Sequence, residues 1–220
     1  LFYDETYNAF NKNEYRQVIH NADIALSSYK DSELLAQFSL LRALAIGGLN
    51  GPEMLKNEME KLVKEFPGHK ISDYAKEIIE HIYTSSPELK IADSRAMAEK
   101  LYETDNSAPH FCVLSAEKDL NQNQINFDIV NFNLDNYNEL DLSIQRESVS
   151  GKIIYFIRSF PNRINCYKYM ETLKKSNTVF RDIQHEKINI FMISEKNFNI
   201  LMKDMDMGKY ILFYENNYGD

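Results

Sequence analysis

Apolar positions along the first third of the chain recur at helical spacing. Within "EYRQVIHNADIALSSY", Val18, Ile19, Ala22, Ala25 and Leu26 fall three or four residues apart, on one face of a helix. Within "PEMLKNEMEKLVKEF", Met54, Leu55, Met59, Leu62 and Val63 do the same, and Pro52 suits the first turn. Each segment ends on an aromatic residue, passes a polar turn and enters a second helical stretch. The two second stretches are "YKDSELLAQFSLLRALAIG" from Tyr29 and "FPGHKISDYAKEIIEHI" from Phe66. Aligning Tyr29-Lys30-Asp31-Ser32 with Phe66-Pro67-Gly68-His69 gives a period of about 37 residues. Small residues (Ala22, Ala25, Ala43, Ala45) alternate with large ones, so neighbouring helices can approach closely.

The pattern changes near residue 107. "HFCVLSA" (110–116) reads as a strand, and "NQINFDIVNFNLDNY" (123–137) as a helix with Ile125, Ile129 and Phe132 on one face. "LDLSIQ" (140–145) alternates, with Leu140, Leu142 and Ile144 inward. "SVSGK" holds a hairpin turn at Gly151, and "IIYFIRSF" (153–160) is the returning strand. "NRINCYKYMETLKK" (162–175) is a helix with Cys166, Tyr167, Met170 and Leu173 on one side, and "INIFMIS" (188–194) a last strand. "EKNFNILMKDM" and "KYILFYENNY" follow as a helical extension.

The expected fold class is therefore α+β. Helical repeats fill residues 1–84, and a connector fills 85–107, with Ser86 capping a helix that starts at Pro87. A β-α-β-β-α-β domain with a C-terminal helical extension fills 108–220. The repeats resemble tetratricopeptide (TPR) helix pairs, although Lys30 stands where proline is usual and Asn11 and Asn13 where glycine is usual. The second domain is similar to the ferredoxin-like arrangement, which leaves one sheet face open. A solenoid needs about three repeats. The chain is therefore expected to hold the last repeats of a longer array, and its opening on Leu1 rather than Met is expected of a fragment or a processed form.

Composition narrows the function. The net charge of −8 is repulsive to nucleic acid and to anionic lipid surfaces. Of this, −6 falls in residues 1–107 and −2 in the remainder. No window is apolar enough to span a bilayer. Two cysteines, Cys112 and Cys166, exclude a four-thiolate site; they read as buried free thiols, with one disulfide as the alternative.

Candidate chemistry is sparse. "GGLNG" (47–51) lacks the Lys-Ser/Thr of a phosphate loop and reads as a helix stop. The five histidines (20, 69, 81, 110, 185) have no ligand spacing, and Asp141 and Glu147 belong to a solvated strand. "MKDMDMG" (202–208) offers three methionines to copper or a D-x-D pair to calcium. Neither set is completed by neighbouring residues, and Glu215 lies too far on. The better reading is a helix ending near Met207 with Gly208 as its left-handed stop, and Met202 and Met205 facing the core. Tyr210, Phe213 and Tyr214 then pack back at helical spacing. No metal, cofactor or catalytic residue is expected. Arg158, interrupting an apolar strand beside Tyr155 and Phe156, is the one candidate contact for an anion or partner, against a plain salt bridge or snorkelling side chain.

One longer pattern is more distinctive. Phe191-x-Ile193-Ser194-x-x-Asn197-Phe198 precedes Tyr210-x-x-Phe213-Tyr214-x-x-Asn217-Tyr218, with His110-Phe111 and Ser159-Phe160-x-Asn162…Tyr169 upstream. Together with the repeats this resembles the C-terminal part of the TPR lipoproteins of the Bacteroidota gliding-motility and type IX secretion apparatus (the SprE/PorW family). The resemblance implies a non-enzymatic scaffold of an envelope machine that binds protein partners. It also implies a periplasmic location and an outer-membrane lipid anchor upstream of Leu1. The competing expectation is a small-ligand-binding or catalytic module on the open sheet face around Arg158.

Overall fold

A computed structural model describes residues 2–29, 33–176, 179 and 185–219. It contains helices and one four-stranded antiparallel sheet, an α+β architecture. The chain divides into two compact units, Leu1–Ala92 and Asp93–Asp220.

The first unit is helical. It comprises α1 (Phe2–Asn11), α2 (Tyr15–Ser28), α3 (Leu35–Asn50), α4 (Pro52–Glu65) and α5 (Lys70–Ser85); α6 (Pro87–Leu101) carries the chain across the unit boundary. Each of the first five packs on its neighbour in sequence, and α1, α3 and α5 also touch in a row. Ala22, Ala25 and Ala45 are fully buried and Ala43 nearly so, as their interleaving with large residues predicts. Met54 departs from its expected face and is 40% exposed.

The turns explain the departures from the repeat pattern. Asn13 adopts φ 60° between α1 and α2, the left-handed conformation that asparagine tolerates in place of glycine. His69 caps α5, its Nδ1 accepting from the Ile71 amide at 3.1 Å. Lys30, Asp31 and Ser32 lie outside the described residues. Of the glycine cluster only Gly51, at φ 90°, is a stop. Gly47 and Gly48 lie inside α3, where a Cβ would come 2.6 Å from Leu55 and from Tyr15 respectively. They are contact glycines, not terminators.

The second unit contains β1 (His110–Ala116), α7 (Gln122–Tyr137), β2 (Ser143–Val149), β3 (Lys152–Phe160), α8 (Arg163–Lys174), β4 (Ile188–Ser194), α9 (Glu195–Asp204) and α10 (Met207–Tyr218). The sheet order is β2-β3-β1-β4 and every neighbouring pair is antiparallel. Ser150 and Gly151 take φ 50° and 81° in the β2–β3 hairpin, as a type I′ turn requires. That turn pairs Val149 with Lys152 and counts β2 back to Ser143 opposite Arg158. β2 starts three residues later than the alternation suggests. Leu140 precedes it and is 46% exposed.

Asn121, Asn162, Ser194 and Asp206 cap α7, α8, α9 and α10 with side-chain oxygens. Helices α7 and α8 cover the sheet face that carries Cys112, Tyr155 and Phe160. There the Tyr155 hydroxyl donates to the Gln122 carbonyl at 2.8 Å, and the Tyr169 ring lies 4.8 Å from Phe160. Tyr169, not the exposed Tyr167, is the buried aromatic of α8.

Candidate functional site

The opposite sheet face was expected to be open, and it is covered. Register places Phe111, Val113, Phe156 and Phe191 on this face. Phe198 of α9 packs edge-on against Phe111 and Phe156, with centroids 5.1 and 4.7 Å away. Tyr210 of α10 lies 5.6 Å from Phe191. The cause is the extension itself: the Ser194 cap starts α9 at the end of β4, and α9 and α10 fold back over the strand.

Arg158 therefore sits under this cover. Its guanidinium lies 4.5 Å from the Phe111 centroid and 5.0 Å from Phe198, half-buried between two rings. Tyr155, three residues earlier, points to the other face; Phe156 shares Arg158's face. Cation–π contacts of this kind contribute about 0.5–2 kcal/mol. Arg158 Nε is buried without a hydrogen-bond partner, and no ion pair to Arg158 forms among the described residues. The site is a packed aromatic sandwich.

The methionine–aspartate stretch is a helix–helix junction. Met205, at φ 54°, is the left-handed stop of α9, and Gly208 lies inside α10, contrary to the sequence expectation. Met205 is 44% exposed, and Met207 is the core residue. Ser150 of the hairpin locks the junction: its Oγ donates to the Met205 carbonyl at 2.8 Å and accepts from the Met207 amide at 3.2 Å. Lys209 Nζ holds Asp204 at 3.2 Å and Asp206 at 3.4 Å. Among the described residues no group of three His, Cys, Asp or Glu is placed to hold a metal.

Cys112 and Cys166 are free and buried. Burial pushes Cys112 up to about 12 and Cys166 well above the usual thiol range, which leaves almost no thiolate at neutral pH. His110 is fully buried, its Nδ1 bonded to the Ala108 carbonyl at 2.8 Å, whereas His20 and His81 are exposed. Glu147 accepts from Gln145, and Asp141 lies exposed before β2. Among the described residues no helix is long and apolar enough to cross a membrane.

The motif residues of the second unit meet around the end of α6. Asn197 is fully buried and bonded to the Glu103 backbone. The Tyr210 hydroxyl donates to the Met192 carbonyl at 2.7 Å on edge strand β4. Tyr102 packs on Tyr210 and Phe213, with centroids 5.0 and 5.6 Å away.

One surface escaped the sequence reading. Phe127, Val130 and Leu134 are exposed at 59, 37 and 61%, forming a second apolar stripe on α7 beside its core face. Their i, i+3, i+7 spacing was the available signal. Two clefts, of about 390 and 600 Å³, flank the stripe and share Val130; Ile144 of β2 lines the first and Arg146 the second.

No protein-family model, curated protein or solved structure matches this chain. What is defined here is an α+β protein in which stacked helices precede a four-stranded antiparallel sheet domain.

Proposed function

We propose that this chain is a non-enzymatic scaffold of a bacterial envelope machine, of the kind that drives type IX secretion and gliding, and that it works by binding protein partners. The observation that carries the reading is the stacking of α1 to α5. Sequential neighbours pack together, one row of alternate helices touches, and Tyr15 and Pro52 open equivalent helices 37 positions apart. That ordering supports TPR-like repeats, which present a groove for partner segments.

The second unit supports the same reading. The strand order β2-β3-β1-β4, with a helix between β1 and β2 and another between β3 and β4, is what a ferredoxin-like domain requires. The residues that carry the resemblance to the SprE/PorW family (Ser194, Asn197, Phe198, Tyr210, Phe213 and Tyr218) do architectural work in caps, backbone clamps and core. The protein belongs on this reading in the periplasm, anchored to the outer membrane by a lipid outside this chain. A net charge of −8 argues against nucleic acid as a partner.

The test is fractionation and photo-crosslinking in the organism that encodes the protein, with a probe at exposed Phe127 and another at exposed Tyr74. The expected result is envelope fractionation, crosslinks to secretion-machine subunits and loss of secretion and gliding on deletion. Cytosolic fractionation, or secretion and gliding unchanged on deletion, overturns the proposal.

A further inference from the structure

The two edges of the sheet are treated differently. On β4 the Tyr210 hydroxyl occupies the Met192 carbonyl, and α10 packs alongside. β2 ends the sheet on the other side, with no strand beyond it among the described residues. An unpaired edge offers a row of backbone donors and acceptors to another chain.

Beside that edge lies the apolar stripe of α7. Ile144 and Arg146 pair with Ile157 and Tyr155, and Tyr155 reaches α7 through Gln122, so both β2 residues lie on the helix side of the strand. They stand two residues apart, which in a strand is about 7 Å. Each lines one of the two clefts that share Val130. A helix beside a free strand, with pockets at strand periodicity between them, is the geometry in which an extended segment adds to a sheet.

We propose that the groove between α7 and β2 is a strand-addition site for an extended segment of a partner protein. The segment carries an acidic residue, an apolar residue two positions later and a basic residue two positions after that. The charges set this order. Arg146 lines one cleft, and Glu139 and Asp141 line the far mouth of the other, beyond Ile144. A strand running antiparallel to β2, the more stable pairing, passes Arg146 first, Ile144 next and the acidic mouth last. Its apolar side chain enters between Leu134, Leu140 and Ile144. This rests on the scaffold reading and names one surface and one ligand chemistry for it.

A second copy of the chain fits the edge poorly. Two β2 strands related by a two-fold axis through Arg146 set Arg146 against Arg146. An axis through Glu147 sets Glu147 against itself, one through Ile144 sets Asp141 against Glu147, and one through Gln145 sets the Arg146 charge against Ile144. Like charges directly opposite each other destabilise a strand pair.

The test uses the full 220-residue chain and capped ten-residue peptides built on Asp-x-Leu-x-Lys or on the reversed Lys-x-Leu-x-Asp. Binding is read by fluorescence anisotropy and by amide shifts. Reversing two cross-strand charge pairs should weaken binding about tenfold. Arg146→Glu should prefer a peptide with Lys in the first position. The exposed-site variant Leu134→Glu, checked for folding by circular dichroism, should abolish binding, and the amides of Ser143–Val149 should shift and gain exchange protection. Equal binding of both peptides, no shift in β2, or a concentration-dependent dimer dispersed by Leu134→Glu overturns the proposal. If the peptides fail while envelope crosslinks persist in Leu134→Glu, strand addition falls and the scaffold reading stands. If Asp-x-Leu-x-Lys binds as described and secretion is intact on deletion, the scaffold reading falls and the groove stands.

Discussion

Asn197 holds Glu103 by both of its backbone groups: Oδ1 accepts from the Glu103 amide at 3.2 Å, and Nδ2 donates to the Glu103 carbonyl at 2.7 Å. The amide side chain imitates one rung of a β-ladder and fixes the exit of α6 against the start of α9. Only a primary amide of this length offers a donor and an acceptor in that geometry.

Asn197→Ala should therefore cost about 1–3 kcal/mol, because two half-buried backbone groups lose their partners and the buried Asn197 side chain leaves a gap. Asn197→Asp should cost at least as much, since it loses the donor and sets a carboxylate against the Glu103 carbonyl. Denaturant unfolding monitored by near-ultraviolet tyrosine signals measures both. A cost below about 0.5 kcal/mol for Asn197→Ala would mean that the clamp is open to solvent.

The stop after α9 gives a paired prediction. Met205 is left-handed and exposed, so Met205→Gly should relieve strain and be neutral or stabilising by about 1 kcal/mol. Gly208 lies in helical conformation with open space around it except for Asp206 Oδ1, which a Cβ would approach to 3.3 Å. Gly208→Ala should then stay within about 0.5 kcal/mol of the parent, the helix propensity gain offsetting the tight contact. A loss above about 1 kcal/mol for Gly208→Ala would restore glycine as the stop.

These positions show what the sequence made legible. β4 and α8 follow from apolar runs bounded by Asn162 and Ser194, because their limits are local. The αL stop at Met205 does not, because it is held by Ser150, which is 55 residues away in the chain. The covered sheet face is likewise a long-range outcome: nothing near Arg158 in sequence announces Phe111 and Phe198 on either side of it. At β2 the alternation of Leu140 and Leu142 extends the strand pattern past Ser143, where the pairing with Arg158 ends. The α7 stripe was legible in its spacing, but the core face formed by Ile125, Ile129 and Phe132 masked it.

His110 sets an acid-side pH dependence. Burial, aided by nearby Arg163, lowers its pKa from the ordinary 6.5, while the Ala108 carbonyl and Asp105 partly oppose the shift. The unfolded chain thus binds the proton more readily. The stability contribution is fully present above about pH 6.5 and is lost as pH falls through that value toward the folded pKa. Asp105 is also lowered, from 3.8, by its bonds to Ser107 and Ala108, so its contribution is lost only as pH falls below about 3.8. Unfolding free energy should decline as pH falls below about 6.5 in the parent and flatten in His110→Phe. An unchanged slope in the variant would assign the dependence elsewhere.

A close helix approach in the first unit supplies a sharp test of its packing. At Gly47 an added Cβ would lie 2.6 Å from the Cβ of Leu55, an atom fixed to the α4 backbone that no rotamer change can move. At Gly48 the Cβ would meet the Tyr15 ring at the same 2.6 Å, and that ring can swing about χ1. Alanine gains about 1 kcal/mol of helix propensity over glycine at either site. Overpacking costs about 1–3 kcal/mol, and at Gly47 it must be met by separating two backbones. Gly47→Ala should therefore loosen the α3–α4 contact and speed hydrogen exchange at amides of both helices, while Gly48→Ala should have a smaller effect or none. Leu55→Ala removes the Cγ and Cδ atoms that lie 3.0 and 2.7 Å away but not the Cβ, so the double variant should recover only part of the loss. Slower exchange in Gly47→Ala would show that the helices sit farther apart than the geometry requires. The role given to small residues in stacking these helices would then have to pass to Ala22, Ala25, Ala43 and Ala45 alone.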